Sequence, residues 1–171
     1  MTEPVKTGVI GVGRLGRHHT RLYNECSNAE LVGVYDEDQS TAQKVAEEMG
    51  TEVYHSIEAL LPHVDALSLA VPTHKHFQIA HQLLQNGKHV LIEKPITDNV
   101  SHAEELVRLA SEEDLILSVG HVERYNPVLE TLDKVPGPPR FVEAHRLAAY
   151  PPSRPGVPPR GTEVSVILDL M

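Results

Sequence analysis

Several things are scarce in this sequence, and each scarcity removes a class of protein. One cysteine, Cys26, stands among 171 residues, so no disulfide can form within the chain. A single thiol fits a reducing cytoplasm. Positive charge is short: 15 Lys and Arg against 24 Asp and Glu give a formal net charge of -9. That balance argues against a nucleic-acid partner, because phosphate binding needs a basic face. No apolar run approaches the roughly 20 residues of a membrane span. The N-terminal MTEPVKTGVIG lacks the basic region and long apolar stretch of a secretory signal. Cytoplasmic location and no membrane or nucleic-acid partner are the expectations.

Apolar residues make up 40% of the chain, enough for a packed core and too much for a disordered one. The pattern alternates strand and helix. Short aliphatic runs at 5–10, 30–35, 52–54, 65–70, 89–92 and 115–119 read as six strands. Helical segments are expected at 14–25, 40–49, 74–85 and 100–113. Gly50 should stop the second, Ser56 should cap a brief helix, and Asn86-Gly87 should end the third. On the fourth, Ala103, Leu106, Val107 and Ala110 should share an apolar face. Continuous aliphatic strands separated by helices point to an α/β fold, a doubly wound parallel sheet of Rossmann type. Most of the 13 prolines fall in two stretches, 135–140 and 150–161, with a strand expected over 140–149.

The run GVIGVGRLG places Gly11, Gly13 and Gly16 in a G-x-G-x-x-G pattern between a strand and a helix. Gly11 permits the tight turn, Gly13 lets a pyrophosphate approach the backbone, and Gly16 lets helix pack on strand. Arg14 and Leu15 stand in the first helical turn, whose free N–H groups and dipole favour phosphate. Asp36 ends the second strand, placed to accept hydrogen bonds from ribose hydroxyls. Glu37 and Asp38 add negative charge that should repel a 2′-phosphate, so NAD is expected over NADP. After the fourth strand, the backbone of Val71, Pro72, Thr73 and His74 should line the cofactor; Thr73 could instead cap the next helix. His76, deeper in that helix, reads as structural.

The stretch HVLIEKPIT ends an apolar strand in Glu93-Lys94-Pro95. Pro95 keeps Lys94 out of helical geometry, over the edge where open parallel sheets bind ligands. A lysine held there can donate a hydrogen bond to a substrate hydroxyl or exchange a proton with it. Glu93 can pair with it or orient the corner. His18-His19, His74/His76 and His121 invite a metal reading, but adjacent histidines point to different helix faces, and no metal is expected.

These residues resemble the glucose–fructose oxidoreductase / inositol 2-dehydrogenase / rhizopine-catabolism (Gfo/Idh/MocA) oxidoreductases. The resemblance runs through GVGRLG, Asp36, VPTHKH, IAHQLLQNGKHVLIEKP and GHVERYNP. It implies NAD(P)-dependent hydride transfer to or from a hydroxyl of a sugar, polyol or sugar nucleotide. It implies that Lys94 contacts the reacting hydroxyl and the nicotinamide ribose, that Glu93 helps hold the cofactor, and that Pro95 often follows a cis peptide. It divides the chain into an NAD(P)-binding domain, 1–121, and the beginning of a substrate domain, 122–171. His121 would lie beside the cofactor site, with Arg124 and Asn126 lining the cleft and Pro127 starting a helix. RGTEVSVILDLM is similar to the branch acting on UDP-N-acetylglucosamine, which makes Arg146 and Arg160 candidates for its diphosphate. Asp169 matches the first residue of a family Asp-x-x-x-His pattern whose histidine would fall just past Met171. The resemblance therefore implies a piece of a longer, commonly oligomeric enzyme, binding NAD but transferring hydride poorly by itself. A non-catalytic NAD-binding sensor is the alternative.

Overall fold

The computed structural model describes residues 3–132 together with 134, 135, 137, 138, 140, 141, 143 and 145. Two compact units meet in sequence between Gly120 and His121. The first contains six strands: β1 (Val5–Ile10), β2 (Ala29–Tyr35), β3 (Glu52–Val53), β4 (Ala66–Leu69), β5 (His89–Ile92) and β6 (Leu117–Val119). Between them run α1 (Arg14–Glu25), α2 (Gln39–Met49), α3 (Ile57–Leu60), α4 (His76–Gln85) and α5 (Val100–Glu112). All neighbouring strands are parallel, in the order β3-β2-β1-β4-β5-β6. The chain builds outward from β1 on one side and then from β4 on the other. Such a reversal opens a crevice at the carboxyl ends of β1 and β4.

Alternation along β1 shows why the sheet is covered on both faces. Val9 packs with Val12, Val34, Ala42, Val45 and Ala46 in one apolar cluster. Ile10, the next residue, belongs to a larger cluster with Leu60, Leu67, Leu69, Leu83 and Ile92. Successive strand side chains point to opposite faces, so an all-aliphatic strand requires helices above and below.

The helix punctuation follows local chemistry. Asp38 caps α2 by accepting from the N–H groups of Ser40 and Thr41. Gly50 ends that helix at φ 66°, a left-handed geometry in which a side chain is strained. Ser56 caps α3 through the Ala59 N–H, and Asn99 caps α5 through the Ser101 N–H.

Three local expectations need correction. The helix expected from His74 starts at His76, behind a 3-10 turn over Thr73–Lys75. Thr73 makes no side-chain cap there, because Pro72 leads straight into the turn. On α5, Leu106 is fully buried and Ala110 nearly so, whereas Val107 is 57% exposed. One residue rotates the side chain by about 100° around the helix, enough to carry Val107 off the stripe that Leu106 and Ala110 share.

The second unit has a 3-10 turn over Val122–Tyr125 and a short helix, α6 (Leu129–Leu132), among the described residues. The helix starts two residues later than expected, after Asn126 Oδ1 accepts from the Val128 N–H at 3.1 Å. The strand expected over 140–149 falls partly, and the segment 163–171 wholly, outside the described residues. Among the described residues no helix is long and apolar enough to cross a membrane.

Candidate functional site: the carboxyl edge of the sheet

The glycine turn comes first. Gly11 sits at φ 82°, and its N–H donates to the Tyr35 carbonyl at 2.8 Å. A Cβ on Gly16 would lie 1.7 Å from the Gly11 carbonyl oxygen. Helix α1 therefore presses its first turn directly onto the turn that precedes it. Gly13 differs: a Cβ there would meet nothing within 4 Å. Among the described residues this glycine has no packing use, and the space above it is open. Gly13 also caps α1 without any side-chain hydrogen bond, so among the described residues no cap side chain covers the first-turn amides at Arg14 and Leu15. Leu15 itself is half exposed.

Asp36 staples this turn as well as facing the crevice. Its Oδ2 accepts from the Val12 N–H at 2.8 Å, and its Oδ1 from the Asp38 N–H at 2.9 Å. Each carboxylate oxygen carries two lone pairs, so capacity for ribose hydroxyls remains. Beside it opens a cavity of about 450 Å³, lined by Gly11, Tyr35, Ile57, Val71, Pro72 and Ile79. Glu37 and Lys75 also line it, joined by an ion pair with Nζ to Oε2 at 2.6 Å. Apolar walls with a charged pair suit a flat heterocycle flanked by a polar sugar. The crevice, the uncapped helix terminus and the space over Gly13 together fit the adenosine diphosphate half of a dinucleotide.

The Glu-Lys-Pro corner shares this edge. The Glu93 N–H donates to the Leu69 carbonyl at 3.0 Å, the last ladder bond that β5 makes with β4 before the corner. The Lys94–Pro95 peptide is cis. The Lys94 N–H turns back to the Glu93 side chain, Oε2, at 3.2 Å. Glu93 is only 8% exposed, and its Oε1 is 2.8 Å from His19 Nε2. The hydrogen bond from His19 holds the Glu93 carboxyl below the usual carboxylate range, with burial opposing it. His19 Nδ1 is 3.1 Å from Ser68 Oγ, and Ser68 Oγ is 2.7 Å from the Tyr23 hydroxyl. Burial pushes the Tyr23 phenol up, which keeps it a donor.

His76 is a strut. It is 1% exposed, and its ring nitrogens lie 2.9 Å from the carbonyls of Val71 and Pro95. It thus ties the loop after β4 to the loop after β5, in line with its structural reading.

Gly11, Gly13, Gly16, Asp36, Val71, Pro72, Thr73, His74, Glu93 and Lys94 all follow or end strands of the one sheet, at its carboxyl edge or in the first turns beyond it. His121, Arg124 and Asn126 belong to the second unit. There the His121 carbonyl accepts from the Arg124 N–H, and the Asn126 side-chain amide donates to Glu123 at 3.0 Å. Arg146, Arg160 and Asp169 lie outside the described residues. Among the described residues no three His, Cys, Asp or Glu side chains gather as a metal site would require. Sequence reasoning weighed His19 only as a metal ligand and missed it as the partner of Glu93. The signal present was its i, i+4 spacing with Tyr23 on α1, one turn from Gly16.

Comparison with known proteins agrees with this geometry. Residues 5–121 match the model of the Gfo/Idh/MocA oxidoreductase family, NAD-binding Rossmann fold. The UDP-N-acetylglucosamine 3-dehydrogenase of Acidithiobacillus ferrooxidans is 42% identical over 168 residues, covering 98% of this chain and 51% of that protein. The scyllo-inositol 2-dehydrogenase (NAD(+)) of Bacillus subtilis is 32% identical over 133 residues, covering 74% of this chain and 38% of that one. A crystal form of the Acidithiobacillus enzyme superposes with TM-score 0.87 at 41% identity, over all of this chain and 54% of its own. GenD2 from gentamicin A biosynthesis, solved in complex with NAD, gives TM-score 0.72 at 29% identity, over 74% of this chain and 37% of its own. The chain thus spans about half the length of the Acidithiobacillus relative. A glycine turn at the switch point of a parallel sheet, a Glu-Lys-Pro corner on the same edge and a family match through residue 121 have one reading: the chain belongs to the Gfo/Idh/MocA family of NAD-binding Rossmann oxidoreductases.

Proposed function

We propose that the protein serves an NAD-dependent dehydrogenase acting on a hydroxyl of a sugar, polyol or sugar nucleotide, with UDP-N-acetylglucosamine as the favoured substrate. The observation that carries this is the shared edge: the glycine turn after β1 and the Lys94 corner after β5 open on the same carboxyl side of one sheet. The substrate class rests on the 42% identity to the Acidithiobacillus enzyme, which extends over 98% of this chain.

Bound NAD supplies the hydride acceptor. The chain's own contribution is to hold and to orient. The first turn of α1 receives the pyrophosphate over Gly13. Asp36 accepts from the adenosine ribose, and with Glu37 beside it a 2′-phosphate is disfavoured, which selects NAD over NADP. Val71, Pro72, Thr73 and His74 supply the opposite wall. Lys94 donates to the substrate hydroxyl or takes its proton. His121, the last residue of the binding domain of 1–121, lies beside the cofactor, and Arg124 and Asn126, with Arg146, Arg160 and Asp169, serve the substrate from 122–171, the beginning of a substrate domain. The intact enzyme works in the cytoplasm as a homo-oligomer.

The test is calorimetric titration of the chain with NAD and NADP, and assay of the whole enzyme for NADH formation with UDP-N-acetylglucosamine. Tight NAD binding with turnover supports the proposal. Absence of NAD binding overturns it, and NAD binding without turnover on any sugar nucleotide or polyol leaves the sensor reading in its place.

A further inference from the structure

We propose that His19 is the positioning residue of the Glu-Lys-Pro corner, acting on Lys94 through the carboxylate of Glu93. The inference rests on the dinucleotide-binding reading above and adds a residue that this reading does not use.

Beyond the Glu93 N–H the corner leaves the ladder of β4 and β5. Pro95 has no N–H to offer. The Lys94 N–H is held by the Glu93 side chain rather than by a neighbouring strand. The backbone of Lys94 at the corner is thus anchored by the Glu93 carboxylate. That carboxylate is bridged: Oε2 faces the Lys94 N–H at 3.2 Å, and Oε1 faces His19 Nε2 at 2.8 Å. A carboxylate only accepts, so His19 Nε2 must carry the proton. His19 Nδ1 lies 3.1 Å from Ser68 Oγ, and Ser68 Oγ lies 2.7 Å from the Tyr23 hydroxyl, so one file of hydrogen-bonding groups runs from Tyr23 through Ser68 and His19 to Glu93.

The file is sheltered. Ser68 is fully buried on β4, and Glu93 is 8% exposed. Buried polar groups are costly unless paired, so an aliphatic residue at position 19 would cost Glu93 Oε1 its His19 partner and the Ser68 hydroxyl one of its two contacts. His19 sits on α1, the helix whose first turn receives the pyrophosphate, and Glu93 sits at the other end of the dinucleotide path. The hydrogen bond between them ties the two halves of the site into one rigid frame. His19 touches neither substrate nor cofactor in this scheme; it fixes the group that does.

The experiment compares ADP, which reaches only the adenosine diphosphate half, with NAD, which also reaches the corner. Both are titrated calorimetrically into the 171-residue chain. In His19→Leu, ADP affinity is expected to stay within about twofold while NAD affinity falls at least ~5-fold, the size of one lost charge-assisted hydrogen bond or less. His19→Gln, whose amide can reproduce the Nε2 donor, restores most of the difference. Competitive acylation of the Lys94 amine across pH supplies a second readout, and its profile is expected to shift in His19→Leu and return in His19→Gln. Should His19→Leu fail to fold, Ser68→Ala takes its place, with a smaller loss in the same NAD-to-ADP ratio. A ratio and an acylation profile that none of these variants moves would overturn the inference alone. Failure of the wild-type chain to bind either nucleotide would overturn the dinucleotide reading, and this inference with it.

Discussion

His19 and Glu93, 74 residues apart in sequence, are joined by a hydrogen bond of 2.8 Å. One lies on the helix that opens the nucleotide site, the other at the corner that carries Lys94. Around this bond the polar interior of the site is arranged, and it sets the first prediction.

Glu93 has an ordinary carboxyl value of 4.5 that the His19 hydrogen bond lowers in the folded chain. A lowered value means that the carboxylate stabilises the fold above pH 4.5 and loses that contribution as pH falls through the lower, folded value. Urea midpoints measured from neutral pH downward should therefore fall more steeply in the acid range for the wild type than for Glu93→Gln. At neutral pH, Glu93→Ala should cost about 1.5–3 kcal/mol, as expected for a hydrogen bond to a charged group. Parallel pH profiles for wild type and Glu93→Gln would contradict the assignment.

Two glycines of one motif should respond oppositely to alanine. In Gly16→Ala the new Cβ collides with the Gly11 carbonyl oxygen at 1.7 Å, a backbone atom with little freedom to give way. Its cost should reach or exceed the roughly 1–3 kcal/mol of ordinary overpacking. Gly13→Ala meets no atom within 4 Å and should melt near the wild type. NAD affinity should nevertheless fall by about tenfold or more, because the methyl occupies the space the pyrophosphate needs. Thermal melts and nucleotide titration separate the two effects.

Glu37 and Lys75 form an ion pair on the wall of the crevice, next to Asp36. Glu37→Gln removes the anion and leaves the lysine cation for a 2′-phosphate. The ratio of NADP to NAD affinity should rise about fivefold, equivalent to ~1 kcal/mol of surface electrostatics. The gain should shrink as salt is added. An unchanged ratio at low salt would show that Asp36 alone discriminates.

Lys94→Met keeps the length of the side chain and removes its charge and protons. In the whole enzyme, turnover should drop by about 10²–10⁴, the usual contribution of a positioned acid or base. The melting temperature should stay close to that of the parent. A loss of less than tenfold would assign the proton transfer to another group.

Adjacent positions on α5 give a packing control. Leu106 is fully buried, so Leu106→Ala should cost about 2–5 kcal/mol. Val107 is 57% exposed, and Val107→Ala should fall within about 0.5 kcal/mol of the parent. Equilibrium unfolding of the two variants tests the face that periodicity alone assigned too broadly.

What the sequence determined by itself was whatever depends on neighbours along the chain. Aliphatic runs of strand length separated by helical periods specify a parallel doubly wound sheet, and the glycine spacing, Asp36 and the Pro95 corner mark its ligand edge, because turns, caps and strand ends are local geometry. Tertiary structure alone decided how those pieces are locked. Asp36 grips the Val12 N–H, His76 spans the carbonyls of Val71 and Pro95, and His19 bonds Glu93 with one ring nitrogen while the other faces Ser68, which pairs with Tyr23. Apart from His19 and Tyr23, one turn apart on α1, those partners come from different elements of the chain, so no periodicity reports them. They meet because β1 lies between β2 and β4, β5 lies beside β4 and α1 packs on β1, β2 and β4, and a buried polar group takes whichever donor or acceptor that packing brings within reach.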